Sequence, residues 1–229
     1  MITFDFFLWP MLVPLLIPLL YCIVYKRESL VDIVMIAVAM VFIVVAYWPL
    51  VTGIPYSIFT YTGIKFLLFV VVPVLLLQMV TKRPSSVTLD QFGVKKEGLR
   101  RSIVLCVLFL PIMLLVTVVI HVVSGVSVDT NVVVATVSFF EAFTEEFLFR
   151  GVLFIFLLSR TNRTVAYLTS FASFVLMHPQ HFTTIFLLGV VVQGVLTIEI
   201  ARRSENISGA WLLHGINRFF VIAVIPFLL

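Results

Sequence analysis

Three carboxylates and an arginine lie within ten residues of one another in the segment Glu141-Ala-Phe-Thr-Glu-Glu-Phe-Leu-Phe-Arg150, inside an apolar run from about Asn131 to Leu158. Ionisable groups at bilayer depth cost on the order of 2.5–3.5 kcal/mol each on insertion scales, so four kept together point to use. On a helix, residues i and i+4 share a face, while i+1 is turned by about 100°. Glu141 and Glu145 therefore point one way, and Glu146 faces Arg150 as an ion pair that removes the cost of burying either alone. Glu145, near the midpoint of the run, is left for another partner.

Two further apolar runs offer such partners. Phe171-Ala-Ser-Phe-Val-Leu-Met-His178 ends in a histidine, and Pro179 then breaks the helix. Trp211-Leu-Leu-His214-Gly-Ile-Asn217-Arg218 supplies a second. A carboxylate and two histidines suffice for two chemistries. Glu145, His178 and His214 could hold a catalytic metal with one position open to water. Alternatively, the glutamate acts as base on water while histidine and Asn217 stabilise the oxyanion. Plainer roles suffice for the other polar residues. His121 ends the fourth run, and His181 reads as an interfacial loop residue. Lys65 lies where it can snorkel, Glu199 sits close to the inner boundary, and Gln193 carries no assignment.

The elements that must position these groups follow from composition. Of the residues, 62% are hydrophobic and 11% charged, against roughly 25% charged in ordinary soluble domains. Such a chain cannot cover itself with polar surface, which excludes a soluble domain. Continuous apolar runs fall near 6–25, 30–50, 57–80, 102–123, 132–158, 164–178, 182–201 and 207–228. They do not alternate with polar residues as barrel strands do. At 1.5 Å per residue about 20 residues cross a bilayer. The fold class is therefore all-α, a polytopic membrane bundle of about eight transmembrane helices, with the sixth run short for a full span.

Basic residues set the orientation. Lys26 and Arg27, Lys82 and Arg83, Lys95 and Lys96, Arg100 and Arg101, Arg160 and Arg163, and Arg202 and Arg203 all fall on one face of this arrangement; Lys65, Arg150 and Arg218 lie within helices. By the positive-inside rule the basic loops are cytoplasmic and both termini outside. The net charge of +4 thus reports topology and not nucleic-acid binding; the implied surroundings are membrane lipids. Asp5 ahead of the first run and the basic pair behind it are the reverse of a secretory signal, so the first helix is retained. Cys22 and Cys106 sit in apolar runs without metal-type spacing and read as buried small hydrophobes.

The polar stretch from Thr81 to Arg101, with Pro84, divides the chain. Residues 1–100 comprise the first three helices, poor in ionisable groups, and this cytoplasmic segment. Residues 101–229 comprise helices four to eight and hold nearly all the chemistry. The segment's tail, 95–101, reads equally as a plain connection or as a short amphipathic helix on the inner leaflet. No internal repeat is visible, which weighs against inverted-repeat transporters.

The chain resembles the CAAX protease and bacteriocin-processing (CPBP) family of intramembrane proteases, which includes the type II CAAX prenyl endopeptidases. Glu145-Glu146-Phe-Leu-Phe-Arg150 matches the family's paired glutamates and arginine, Phe174-Val-Leu-Met-His178 its second motif, and His214-Gly-Ile-Asn217 part of its third, in order over roughly residues 130–220. The resemblance implies intramembrane proteolysis of a peptide or lipidated-protein substrate, including prenylated CAAX-type proteins. Glu145 would activate water, and His178 and His214 would complete the site. Glu146 and Asn217 join the catalytic set, with Arg150, Glu141 and Arg218 in support. Members are commonly called metalloproteases, which implies a divalent ion such as zinc on Glu145, His178 and His214, although a metal-free glutamate mechanism is also proposed for them. The family's cavity is expected to admit peptide from the cytoplasmic side. One departure matters. Many relatives carry asparagine four residues after the last histidine, where this chain has Arg218; Asn217 is one position early and points about 100° away. A non-catalytic scaffold or bacteriocin-immunity protein of the same fold is the main rival, and a proton- or cation-coupled transporter the next.

Overall fold

A computed structural model describes residues 8–80, 87–126 and 129–228. Asp5, Lys82, Arg83 and Pro84, which enter the topology reading, lie outside the described residues. Every regular element among the described residues is helical. Each apolar run becomes a helix, here numbered α1 to α8.

Helix α1 (Trp9–Tyr25) opens as a tight 3-10 segment, Trp9–Leu15, because Pro10 and Pro14 remove backbone donors, and becomes α-helical only over Leu16–Tyr25. Helix α2 spans Leu30–Gly53. Helix α3 (58–80) begins with a Ser57–Thr60 capping box and contains a π-helical turn, Leu67–Val71. Helix α4 spans Leu99–Ser124. Of the apolar helices, Arg27–Gly53, Ile58–Met79 and Leu99–Ser124 are long and apolar enough to cross a membrane. The tail of the central polar segment is a plain connection: a 3-10 turn at Leu89–Phe92, then Gly93 and Gly98 at positive φ before α4 begins. A side chain on Gly98 would run into the carbonyl of Ser204.

Helix α5 (132–160) is the centre of the bundle. Asn131 caps it by accepting from the Val134 amide, and the α-helical part ends at Glu146. A ten-residue π-helical stretch, Phe147–Phe156, follows before α-geometry resumes at Leu157–Arg160. Nine of those ten residues are buried, so this length is apolar all round except for Arg150. Helix α6 (Arg163–Leu176) starts at an Asn162 cap and is 14 residues long, about 21 Å at 1.5 Å per residue and short of a 30 Å hydrocarbon core. Helices α7 (Phe186–Ser204) and α8 (Ser208–Ala223) follow. Helix α8 packs along α5 and α4, and the seam is close: a Cβ on Gly215 would stand 2.7 Å from the Phe139 carbonyl oxygen.

The connections at one end are tied to each other. Lys26 donates to the Thr161 carbonyl at 3.1 Å, Arg160 meets Asp32 at 2.5 Å, and the Ile207 amide donates to Gly93 at 3.1 Å. Asn206 holds the carbonyls of Lys95 and Glu97 and is itself buried, which anchors the start of α8 to the connection before α4. All described basic residues outside the helix interiors belong to this end. Cys22 and Cys106 are free thiols and buried.

Candidate active site

A cavity of about 680 Å³ enters the bundle from the other end, within the size range of ligand pockets. Glu145, His178, His214, Asn217 and Arg218 all line it, and so does Lys65. In the eight-run topology His178 falls near the outer end of the sixth run and His214 nearer the inner end of the eighth, and the structure brings both to one cavity. Helix α6 is short, and α8 starts from a buried anchor, so both histidines reach the ring of Phe174, at 5.0 Å and 6.4 Å between centroids.

Each histidine is oriented through Nδ1. Arg150 meets Glu146 at 3.2 Å, one turn apart as the spacing requires, and the second oxygen of Glu146 contacts His214 Nδ1 at 2.8 Å. With the Glu146 carboxylate oxygen as acceptor, His214 donates from Nδ1 and presents Nε2 to the cavity. His178 Nδ1 donates in the same way to the Phe174 carbonyl at 2.9 Å. Glu146 and Arg150 are fully buried and do not line the cavity; they hold His214 in place from behind. Arg150 is itself fixed by Thr197 and by stacking 4.2 Å above the Phe174 ring.

Glu145 is divided between two surroundings. Its Oε1 accepts from Lys65 Nζ and lies 3.4 Å from Arg218 Nη1. Its Oε2 makes no hydrogen bond among the described residues and faces His214 Nε2 at 3.9 Å. Glu141 shares the face of Glu145 and is buried between the same two cations, Lys65 and Arg218. Two carboxylates thus meet two cations, which balances charge that could not be buried singly.

Lys65 is the residue that sequence reasoning placed elsewhere. It does not snorkel; its side chain is 3% exposed and committed to the two glutamates. Tyr61 and Phe69, one turn to either side, place their rings 5.4 Å and 5.3 Å from its ammonium. A lysine within an apolar run marks a residue with a special position, but by itself it fits snorkelling as well as pairing with a buried acid. Asn217 behaves as its early position requires. It accepts from Thr117 at 2.7 Å and reaches Gln193 at 3.4 Å, away from the acids, whereas Arg218 takes the place facing Glu145.

Among the described residues, no three His, Cys, Asp or Glu side chains gather as a metal-holding set. The donors also fit a divalent ion poorly, because the one carboxylate that would bind it already lies against an ammonium and a guanidinium. Those cations would repel the ion at close range. The arrangement suits water better: a water between Glu145 Oε2 and His214 Nε2 can donate to both and turn a lone pair toward a carbonyl.

Residues 127–220 match the family model described as Type II CAAX prenyl endopeptidase Rce1-like. No curated protein and no solved structure matches the chain. The matched stretch begins just before α5 and ends within α8, so it contains Glu145, His178 and His214 but not Lys65. The region of this chain that lines the cavity from α5 to α8 is similar to the Rce1-like type II CAAX prenyl endopeptidases, a membrane-embedded protease family.

Proposed function

We propose that this chain is an intramembrane endopeptidase that uses Glu145 to activate water, with residues 101–229 as its catalytic core and the first three helices as a flank. In this reading the eight helices run alternately between the two faces of the membrane, with the short α6 set inside the bundle, the basic end faces the cytoplasm and both termini lie outside. The supporting observation is the pair of acceptors, Glu145 Oε2 and His214 Nε2, 3.9 Å apart at the wall of a cavity that a peptide can occupy.

The chemistry balances with this chain's own groups. Water between the two acceptors gives a proton to Glu145 as its oxygen bonds to the substrate's carbonyl carbon. The negative charge that develops on the carbonyl oxygen is met by Arg218, which contacts the glutamates through Nη1 while a guanidinium carries five N–H donors in all. Glu145 then returns the proton to the amide nitrogen as the C–N bond breaks, which leaves a carboxylic acid and an amine. His178 presents Nε2 as an acceptor and holds the substrate's N–H. It does not serve as the oxyanion donor, because its proton is spent on Phe174. Glu146 keeps His214 in the right tautomer and orientation, and Arg150 pairs with Glu146 and holds it in place from behind. Lys65 fixes Oε1 so that Oε2 faces the cavity.

The substrate class suggested by the family is a peptide or prenylated protein. The cavity wall, with Tyr47, Phe69, Met113, Ile120 and Met177, suits an apolar segment. The test is cleavage of a farnesylated CAAX-type peptide, and of the same peptide without the lipid, by purified protein in liposomes. Glu145→Gln and His178→Ala should abolish cleavage while membrane insertion is unchanged. Full activity in either variant removes the assignment, and a Glu145→Gln protein that still supports the chain's cellular role favours the non-catalytic scaffold.

A further inference from the structure

The two ends of the bundle differ in kind. The cavity is rimmed at one end only: Val51 near the end of α2, Tyr56 ahead of α3, His121 near the end of α4, Gln180 between α6 and α7, and Val221 near the end of α8. Between described helices, the connections at that end, 54–57, 125–131 and 177–185, contain no lysine or arginine. The opposite end carries Lys26, Lys95, Arg160 and Arg202, and its connections are bound to one another as described above. His178 lies two residues from the exposed Gln180, while Glu145 lies near the middle of α5, so the cavity leads inward from the rim to the reacting groups. From the start of α6 at Arg163, by contrast, His178 is 15 residues away, about 22 Å of helix.

Basic connections are retained in the cytoplasm. We infer that the cavity opens on the extracytoplasmic side, and that its substrate is a peptide segment presented from that side, anchored in the outer leaflet or emerging from a membrane span. This is the side opposite to the one that the family resemblance implies. The inference rests on the endopeptidase reading of the same cavity, but its geometric half stands apart from the chemistry.

The experiment places single cysteines at the two ends in a protein with Cys22→Ala and Cys106→Ala. Gln180→Cys reports the rim, and Ser159→Cys the basic end, where both native side chains are exposed. A membrane-impermeant sulfonated maleimide should label Gln180→Cys fully in intact cells, with no gain on permeabilisation, and Ser159→Cys only after permeabilisation. Labelling of Gln180→Cys only after permeabilisation overturns the inference. A bulky maleimide on Gln180→Cys should also stop turnover of the peptide probes used above, and on Ser159→Cys leave it unchanged; undiminished turnover with a blocked rim shows that substrate arrives elsewhere and overturns it too. The two readings separate through Glu145→Gln. Outer labelling combined with undiminished cleavage in that variant removes the endopeptidase mechanism and keeps the orientation.

Discussion

The cavity wall and the basic end are built from the same residue types, yet the charges do different work in each. At the basic end Glu199 holds Arg202 at 2.7 Å and Arg203 at 3.0 Å, on side chains that remain partly in solvent. In the cavity wall Lys65, Glu141 and Glu145 are between 0 and 6% exposed. Water can replace the partners of the first group and not those of the second. A charge at the basic end thus has a partner that solvent can replace, whereas in the wall each one fixes where its neighbours must stand.

The sharpest way to break this contrast is to remove charge from the wall without changing shape. Glu145→Gln is isosteric, and its loss should be chemical: turnover of the peptide probe falls by about 10²–10⁴, the usual contribution of a general base. Thermal stability in detergent should fall too, because Lys65 and Arg218 are left to share Glu141. Turnover that returns when Lys65→Met is added to rebalance the charge would make Glu145 only a structural member of the ion cluster and remove its chemical role.

Lys65 should respond mainly in stability. Lys65→Met keeps the length of the side chain and deletes its charge, which leaves Glu141 and Glu145 to share Arg218. Breaking a buried pair from one side costs about 3–5 kcal/mol, so the variant should melt early or fail to accumulate in the membrane. The double variant Lys65→Met with Glu141→Gln should recover much of that stability, since the number of unpaired acids returns to its former value. No recovery would show that Lys65 acts through something other than its charge.

Packing around the site should give a smaller effect. Gly215 follows His214 and lies against the backbone of α5, where Trp211 also donates to the Phe139 carbonyl at 3.1 Å. Gly215→Ala must push α8 off α5, at about 1–3 kcal/mol for an overpacked contact. The same shift moves His214 away from Glu146, so kcat should fall along with the melting temperature. A stable protein with unchanged turnover would mean that the seam yields without moving the histidine.

What the sequence disclosed about this site is what local spacing can carry. The i to i+4 rule places Glu146 on Arg150 and sets Glu141 beside Glu145, and both relations are seen. The one-residue offset of Asn217 likewise predicts that it turns from the acids. Two features were out of reach for physical reasons. Lys65 meets a glutamate 80 residues away, and a lone lysine in an apolar run has the same pattern whether it snorkels or pairs. The π-helical length after Glu146 leaves no trace in an apolar run that is buried on every side, because burial all round erases periodicity. The all-helical fold and the apolar runs were legible from composition. The anchoring of α8 was not, because it depends on Asn206 reaching the carbonyls of Lys95 and Glu97 across more than 100 positions of sequence.

The smallest effect belongs to the basic end and defines the scale of the others. Arg203 is 47% exposed and shares Glu199 with Arg202, which holds the same carboxylate through two nitrogens. Removing Arg203 leaves Glu199 paired and exposes no buried group, so Arg203→Ala should cost no more than about 0.5 kcal/mol, the range of an exposed i,i+4 pair. Turnover should be unchanged, because neither residue lines the cavity. Arg203→Glu adds a test that stability alone does not provide. It reverses a charge that bears on orientation while Lys26, Lys95, Arg160 and Arg202 remain, so the cysteine-labelling pattern should hold. A pattern that flips on this one substitution would make the basic end a marginal topological signal, and the contrast between the two ends would lose its basis.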